Sequence, residues 1–226
     1  MSEVAIWMRA ATAALAMILA APAMAAGDVG LVNHLSGSVS FTSGKETAKA
    51  TAFMKVREGD KFSVPAGALV RVVYFQNGRQ EAYNGPAGFT AGAKESTVQS
   101  GAQPQVVTLP AGVSQKIAQT PELIQIARLG RSGGVAVRGT AREARLNPQQ
   151  QAEVRQAKET YKKLRAQSPA DDITPELYLY SVLQDNLLYS EMQPLVEDMA
   201  RRQPASADVT AMLEYVKAKT SAPVKQ

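Results

Sequence analysis

The chain reads as an α+β protein in two parts: an N-terminal all-β sandwich or barrel, then a C-terminal α-helical bundle or set of helical hairpins. Three observations predict this. Short runs of β-branched and aromatic residues recur between glycine and proline turns over residues 29–109. From Asn147 onward, apolar residues fall instead at spacings of three and four. Between the two patterns lies a glycine- and arginine-rich stretch, residues 130–146. The expected layout is a leader over 1–25, a β domain over 26–112, a short helix and linker over 113–146, a helical domain over 147–220 and a disordered tail over 221–226.

The leader has the layout of a secretory signal. Arg9 supplies the positive charge, residues 10–21 the short apolar core, Pro22 the helix break, and Ala23-Met24-Ala25 the small-x-small cleavage site. The apolar run is too short to span a bilayer core stably. The expected location is periplasmic or secreted, with a mature start at Ala26 and translation beginning at Met1 or Met8. Cysteine is absent, which excludes disulfides, a lipid-anchoring cysteine, thiolate metal sites and thiol nucleophiles.

Residues 29–32 and 38–42 predict the first two strands, turning at Ser36-Gly37, and the polar residues 43–51 predict a loop. Phe62 and Val64 alternate between turns at Gly59-Asp60 and Pro65-Ala66-Gly67. Residues 69–76 (LVRVVYFQ) predict a strand, and Asn77-Gly78 predicts a two-residue type I′ turn. That turn would place Gln76 opposite Arg79, Tyr74 opposite Glu81 and Val72 opposite Tyr83. After a turn at residues 85–88, Phe89 and Ala91 edge the sheet, residues 94–104 form a polar, mobile loop, and residues 105–109 make the last strand.

Thr120-Pro121-Glu122 predicts a helix start, with Thr as N-cap, and the helix stops near Gly130; Thr174-Pro175-Glu176 repeats the chemistry. Asn147, Pro148 and Gln150 form a capping box for a helix striped by Val154, Ala157, Tyr161 and Leu164 that ends before Ser168-Pro169. A central helix over about 175–189, a third over about 194–202 and a last one capped by Ser206 complete the series. Helix pairs of this size closed by proline resemble tetratricopeptide-like hairpins, without the Trp-x-x-Leu-Gly signature; a single such unit is short of neighbours and could dock on the β domain, with the packing of the two parts left open.

The β half carries a second resemblance. The ordered set Gly37-Ser38-Val39, Glu58-Gly59-Asp60, Pro65-Ala66-Gly67, an apolar strand from Leu69 to Phe75 and Asn77-Gly78 resembles the FecR-type periplasmic domain, over roughly residues 29–107. The resemblance implies a noncatalytic recognition or signal-sensing module. In that family the periplasmic domain contacts the signalling domain of an outer-membrane receptor, and a cytoplasmic tail acts on a sigma factor. A cleaved leader would leave this chain without such a tail, so only the recognition role carries over.

No catalytic or metal site is expected. His34 is the only histidine and has no acidic neighbour in sequence, so it reads as a surface or interface residue. Glu58 and Asp60 read as turn chemistry ahead of an acid–base pair, and Asp171-Asp172 as a solvated loop leading to the Thr174 cap. No cofactor is expected. Recognition along the hairpin would use Arg71, Tyr74, Gln76, Arg79, Glu81 and Tyr83, or the main chain of a sheet edge, against an envelope protein. The alternative is an envelope structural protein holding glycan or anionic lipid through Arg128, Arg131, Arg138, Arg142 and Arg145, which face Glu143 alone. Without interleaved aromatics that patch does not suit nucleic acid. The oligomeric state is left open.

Overall fold

The computed structural model describes residues 27–131 and 146–221. The expected leader, Arg138, Arg142, Arg145 and the last five residues lie outside these, as does the side chain of Arg131. Ten strands come first: β1 (Asp28–Ser36), β2 (Ser40–Ser43), β3 (Glu46–Lys49), β4 (Lys55–Arg57), β5 (Lys61–Val64), β6 (Leu69–Tyr74), β7 (Arg79–Asn84), β8 (Ala87–Ala91), β9 (Ser96–Gly101) and β10 (Gln105–Thr108). Six helices follow: α1 (Val113–Ile117), α2 (Thr120–Arg131), α3 (Pro148–Gln167), α4 (Thr174–Asp185), α5 (Tyr189–Arg202) and α6 (Ala207–Thr220). The strands form two five-stranded antiparallel sheets, ordered β10-β7-β6-β1-β4 and β3-β2-β5-β8-β9.

The molecule has three layers. Alternation along each strand sends side chains to opposite faces. On one face of the first sheet Val32, Val70, Val72, Tyr74 and Tyr83 meet Phe62, Val64 and Phe89 of the second sheet. There Phe41, Phe62, Phe89 and Tyr83 stack in a row with centroid separations of 5.9, 4.9 and 4.0 Å. On the other face Leu31 and Val73 pack with Ile117, Ile173, Leu177 and Tyr180 of the helical layer. The run LVRVVY is therefore covered on both sides, and this accounts for its nearly continuous apolar character.

Several expectations are corrected. The two first strands do not pair; β1 belongs to one sheet and β2 to the other. Residues 43–51 contain β3, and residues 94–104 contain β9, which places β8 inside its sheet. Both unforeseen strands are edges with mostly exposed side chains, so main-chain pairing forms them and no apolar alternation marks them. The hairpin loop has four residues. Val73 pairs with Gln80 and Val72 with Glu81, a shift of two from the expected register that keeps every side chain on its face. Of the turn pair only Gly78 takes a positive φ, 68°, whereas a type I′ turn needs it at both residues. Asn77 instead uses its side chain, accepting from the Arg79 amide at 3.1 Å and donating to the Lys94 carbonyl at 3.1 Å.

Among the helices, the Asn147–Gln150 capping box and the Ser206 cap are present as expected. Thr120 and Thr174 lie inside their helices and do not cap. α4 stops at Asp185, earlier than expected, because Leu187 turns left-handed (φ 56°). α5 consequently begins at Tyr189 and carries Pro194 inside it, on the exposed side. α4 lies against α1, α2, α3 and α5, as expected of a central helix.

Candidate functional site

The hairpin side chains expected to meet a partner are mostly turned inward. Glu81, fully buried, accepts from Arg79 Nε at 2.5 Å, from the Tyr83 hydroxyl at 3.2 Å and from the Ser96 amide at 3.2 Å. Tyr74, also buried, shares a 2.6 Å hydrogen bond with Ser96. Burial raises both tyrosine hydroxyls above their ordinary pKa, so they stay neutral. This cluster ties β7 to the edge strand of the other sheet. Arg71 is 5% exposed and faces the helices. Of the six residues only Gln76 is exposed and Arg79 partly so.

Arg71 belongs to a buried polar layer between the first sheet and the helices. The register of β1 shifts between Val32 and His34, a bulge that brings both Asn33 and His34 to helical partners. Asp172, 1% exposed, accepts from the Thr174 amide at 2.9 Å and from Gln80 Nε2 at 2.9 Å. The Thr174 hydroxyl donates to the same carboxylate at 2.5 Å and receives Asn33 Nδ2. Asp171 lies 3.4 Å from His34 Nε2 and 3.5 Å from Arg71 Nη2. Gln203 Nε2 sits 3.0 Å from His34 Nδ1, so the ring accepts there and donates from Nε2 as the neutral tautomer. Burial, together with the Arg71 charge, lowers the His34 pKa and favours that form. The reading of Asp171-Asp172 as a solvated loop is thereby corrected: Asp172 is an anchor between layers. The His34 side chain is 11% exposed and sits between the sheet and the helices, beside an acid distant in sequence.

Beside this layer opens a cleft of about 530 Å³ between the end of β1 and the α5–α6 loop, with His34, Asp171, Arg202 and Gln203 on its wall. Those polar groups are engaged with one another or with Asp198 and the Ala170 carbonyl. Asp60, offered as half of an acid–base pair, accepts from the Arg57 amide at 2.9 Å and closes the turn at Gly59. Among the described residues no cluster of three or more acids and histidine could hold a metal ion.

One side of the sandwich differs in charge from the other. β9 and β10 are the outermost strands of their sheets on that side. From Ser96 to Gln115 the chain has no charged residue. The opposite edges differ, since β3 carries Glu46 and Lys49, and β4 carries Lys55 and Arg57. Natural sheets commonly guard edges with such charges. Among the described residues β10 pairs with β7 alone, Val106 opposite Glu81 and Val107 opposite Gln80. In an antiparallel ladder alternate residues aim N–H and C=O outward, so half of the β10 main chain points away from β7 into a lane where no described strand pairs with it. Val106 and Val107, 43% and 49% exposed, flank that lane, and Pro104 and Pro110 limit its length. Sequence reasoning placed this strand without singling out its edge; the lack of charge was the available signal. Of the arginine patch, Arg128 is described, and it pairs with Asp208 of α6.

No protein family, curated protein or solved structure matches the chain.

Proposed function

We propose that this protein is an exported, noncatalytic recognition module that receives an extended segment of an envelope protein along the outer edge of β10. The observation that carries the reading is the uncharged, valine-flanked edge, set against charged edges on the other side of both sheets. Strand addition takes its affinity from main-chain hydrogen bonds and its selectivity from pockets for alternate side chains. The segment would be about four residues long, neutral and rich in β-branched side chains, matching Gln105–Thr108. The resemblance to FecR-type periplasmic domains supports a recognition role, and the leader supports export.

The test is capture from envelope extract on the chain from Ala26, at low and high salt, with Val106→Lys as the comparison. The reading expects a protein partner retained at high salt and lost with the edge lysine, while the variant keeps its far-ultraviolet circular dichroism. A partner bound equally by Val106→Lys refutes edge recognition.

One observation favours the second reading, an anionic envelope surface. Ile126 and Leu129 are 44% and 75% exposed on one stripe of α2, directly before the arginine-rich stretch. Binding of that kind weakens sharply as salt screens the arginines, so the same salt comparison separates the two readings.

A further inference from the structure

A groove lies between α3 and α4, outside the sandwich. It encloses about 420 Å³, within the range of roughly 300–1,000 Å³ common for small-ligand pockets. Its floor is apolar: Leu179 is 6% and Leu183 1% exposed. Tyr161 forms part of the wall and sends its hydroxyl to Glu176 at 3.3 Å. Burial pushes that hydroxyl's pKa up to about 12, so no phenolate opposes an anion in the groove.

The rim is cationic. Arg155, Lys158 and Lys162 recur at spacings of three and four on α3, a single helical stripe along the groove. Lys158 reaches across to Glu191 of α5 at 2.5 Å and spans one end. Lys162 pairs with Glu159 at 2.9 Å, with both side chains about two-thirds exposed, an arrangement that holds the lysine weakly. Arg155 is exposed and has neither a hydrogen bond nor an ion pair among the described residues. Three cations stand against two acids, and each acid is already taken by a lysine.

We propose that this groove binds an anionic amphiphile: one carboxylate or phosphate head on Arg155, with an aliphatic chain laid over Leu179 and Leu183. A guanidinium fork matches either oxyanion through two parallel hydrogen bonds. Lys162 can leave its exposed partner to join the head. The chain is held by removing its own apolar surface from water, against this floor and the aliphatic stems of the α3 cations. A neutral amphiphile leaves Arg155 unused, and a bare anion leaves the apolar part of the groove unfilled, so the two features together define the ligand class. The proposal is independent of edge recognition, because the groove contains no residue of the sandwich.

The experiment is calorimetric titration of the chain from Ala26 with decanoate, decyl phosphate, decanol and inorganic phosphate, with amide shift mapping by NMR. Saturable one-site binding of the two decyl anions is expected, with the largest shifts at Leu179 and Leu183. Decanol and inorganic phosphate should each bind at least about tenfold more weakly. Arg155→Glu should lose about tenfold for the anions and nothing for decanol, and Arg155→Lys should fall between. Arg155 is on the surface, so both variants keep the wild-type fold, read by circular dichroism. The tighter of the two anions identifies the source as a fatty carboxylate or a lipid phosphate. The proposal is overturned by no saturable binding below about 1 mM, or by decyl anions binding Arg155→Glu as tightly as wild type.

Discussion

Asp172 shows how much can hang on one buried carboxylate. It holds the Thr174 amide and hydroxyl and Gln80 Nε2, and lies 4.0 Å from Arg71 Nη1. Asp172→Ala leaves the Thr174 amide and Gln80 Nε2 without an acceptor in a buried layer, and the Thr174 hydroxyl with only the longer contact to Gln80 Oε1 at 3.3 Å. Stability should fall by about 3–5 kcal/mol in urea denaturation, whereas Lys162→Ala on the surface should change it by under about 1 kcal/mol. His34 gives a second residue-scale prediction, in pH. Its pKa is lowered on folding by burial and then by Arg71, while Asp171 and Asp172 pull it up, and Gln203 donates to its Nδ1. A lowered histidine pKa means the unfolded chain binds the proton more readily. Its contribution is whole above the ordinary value of about 6.5 and is lost as pH falls below that toward the folded value. Burial raises the Glu176 pKa, which acts in the opposite sense as pH rises from the ordinary glutamate range. His34→Gln should flatten the loss of stability between about pH 7 and pH 5; an unchanged pH profile would assign it elsewhere. None of these contacts was visible in sequence order. The trace they left was polar residues, Asn33, Arg71 and Gln80, at inward positions of apolar strands.

At the scale of elements, legibility followed the presence of a local cause. Asn147, Gln150 and Ser206 form caps through bonds three residues long, and the sequence shows them whole. β3 and β9 exist through hydrogen bonds to β2 and β8, and exposed polar residues do not announce a pairing partner. The Asn77-Gly78 loop lies between these cases: the hairpin was legible, but its length was not. Gly78 donates to the Tyr74 carbonyl at 3.1 Å and accepts from the Leu109 amide at 2.9 Å, so the strand that follows much later helps set the loop. A Cβ on Gly78 would stand 3.0 Å from the Leu109 carbonyl oxygen and would be held at positive φ. Gly78→Ala should cost about 1–3 kcal/mol. Asn77→Ala, where φ is not positive, should cost only the exposed side-chain hydrogen bonds, about 1 kcal/mol. A type I′ turn would also hold Asn77 at positive φ, so comparable losses at the two positions in thermal or urea unfolding would favour it over the four-residue loop.

At the scale of the molecule, the two parts that composition separates are joined by one core. Leu31 and Val73 from the sheet and Leu109 just after β10 share a cluster with Val113, Ile117 and Leu177 from the helices and Ile173 just before α4. The helical layer covers the face of β6 that presents Arg71 and Val73, and Ser114 of α1 donates to the Phe75 carbonyl at 2.9 Å beside the hairpin loop. Sequence patterning found both halves because strand and helix periods differ; it could not show the docking, which relies on the second face of an already apolar strand. Removing the helices would bare Leu31, Val73 and the groups bound to Asp172 on a single sheet face. The whole chain from Ala26 should therefore unfold in one cooperative transition, with far-ultraviolet circular dichroism and tyrosine fluorescence coincident in urea. A fragment ending at residue 112 should fail to give a sharp transition or should aggregate, since its exposed apolar face has lost its cover. Two separated transitions in the whole chain, or an independently stable fragment, would show that the shared core is dispensable. A single transition would mean that strain at the polar layer is felt by both sheets and helices, because neither layer can open while the other holds.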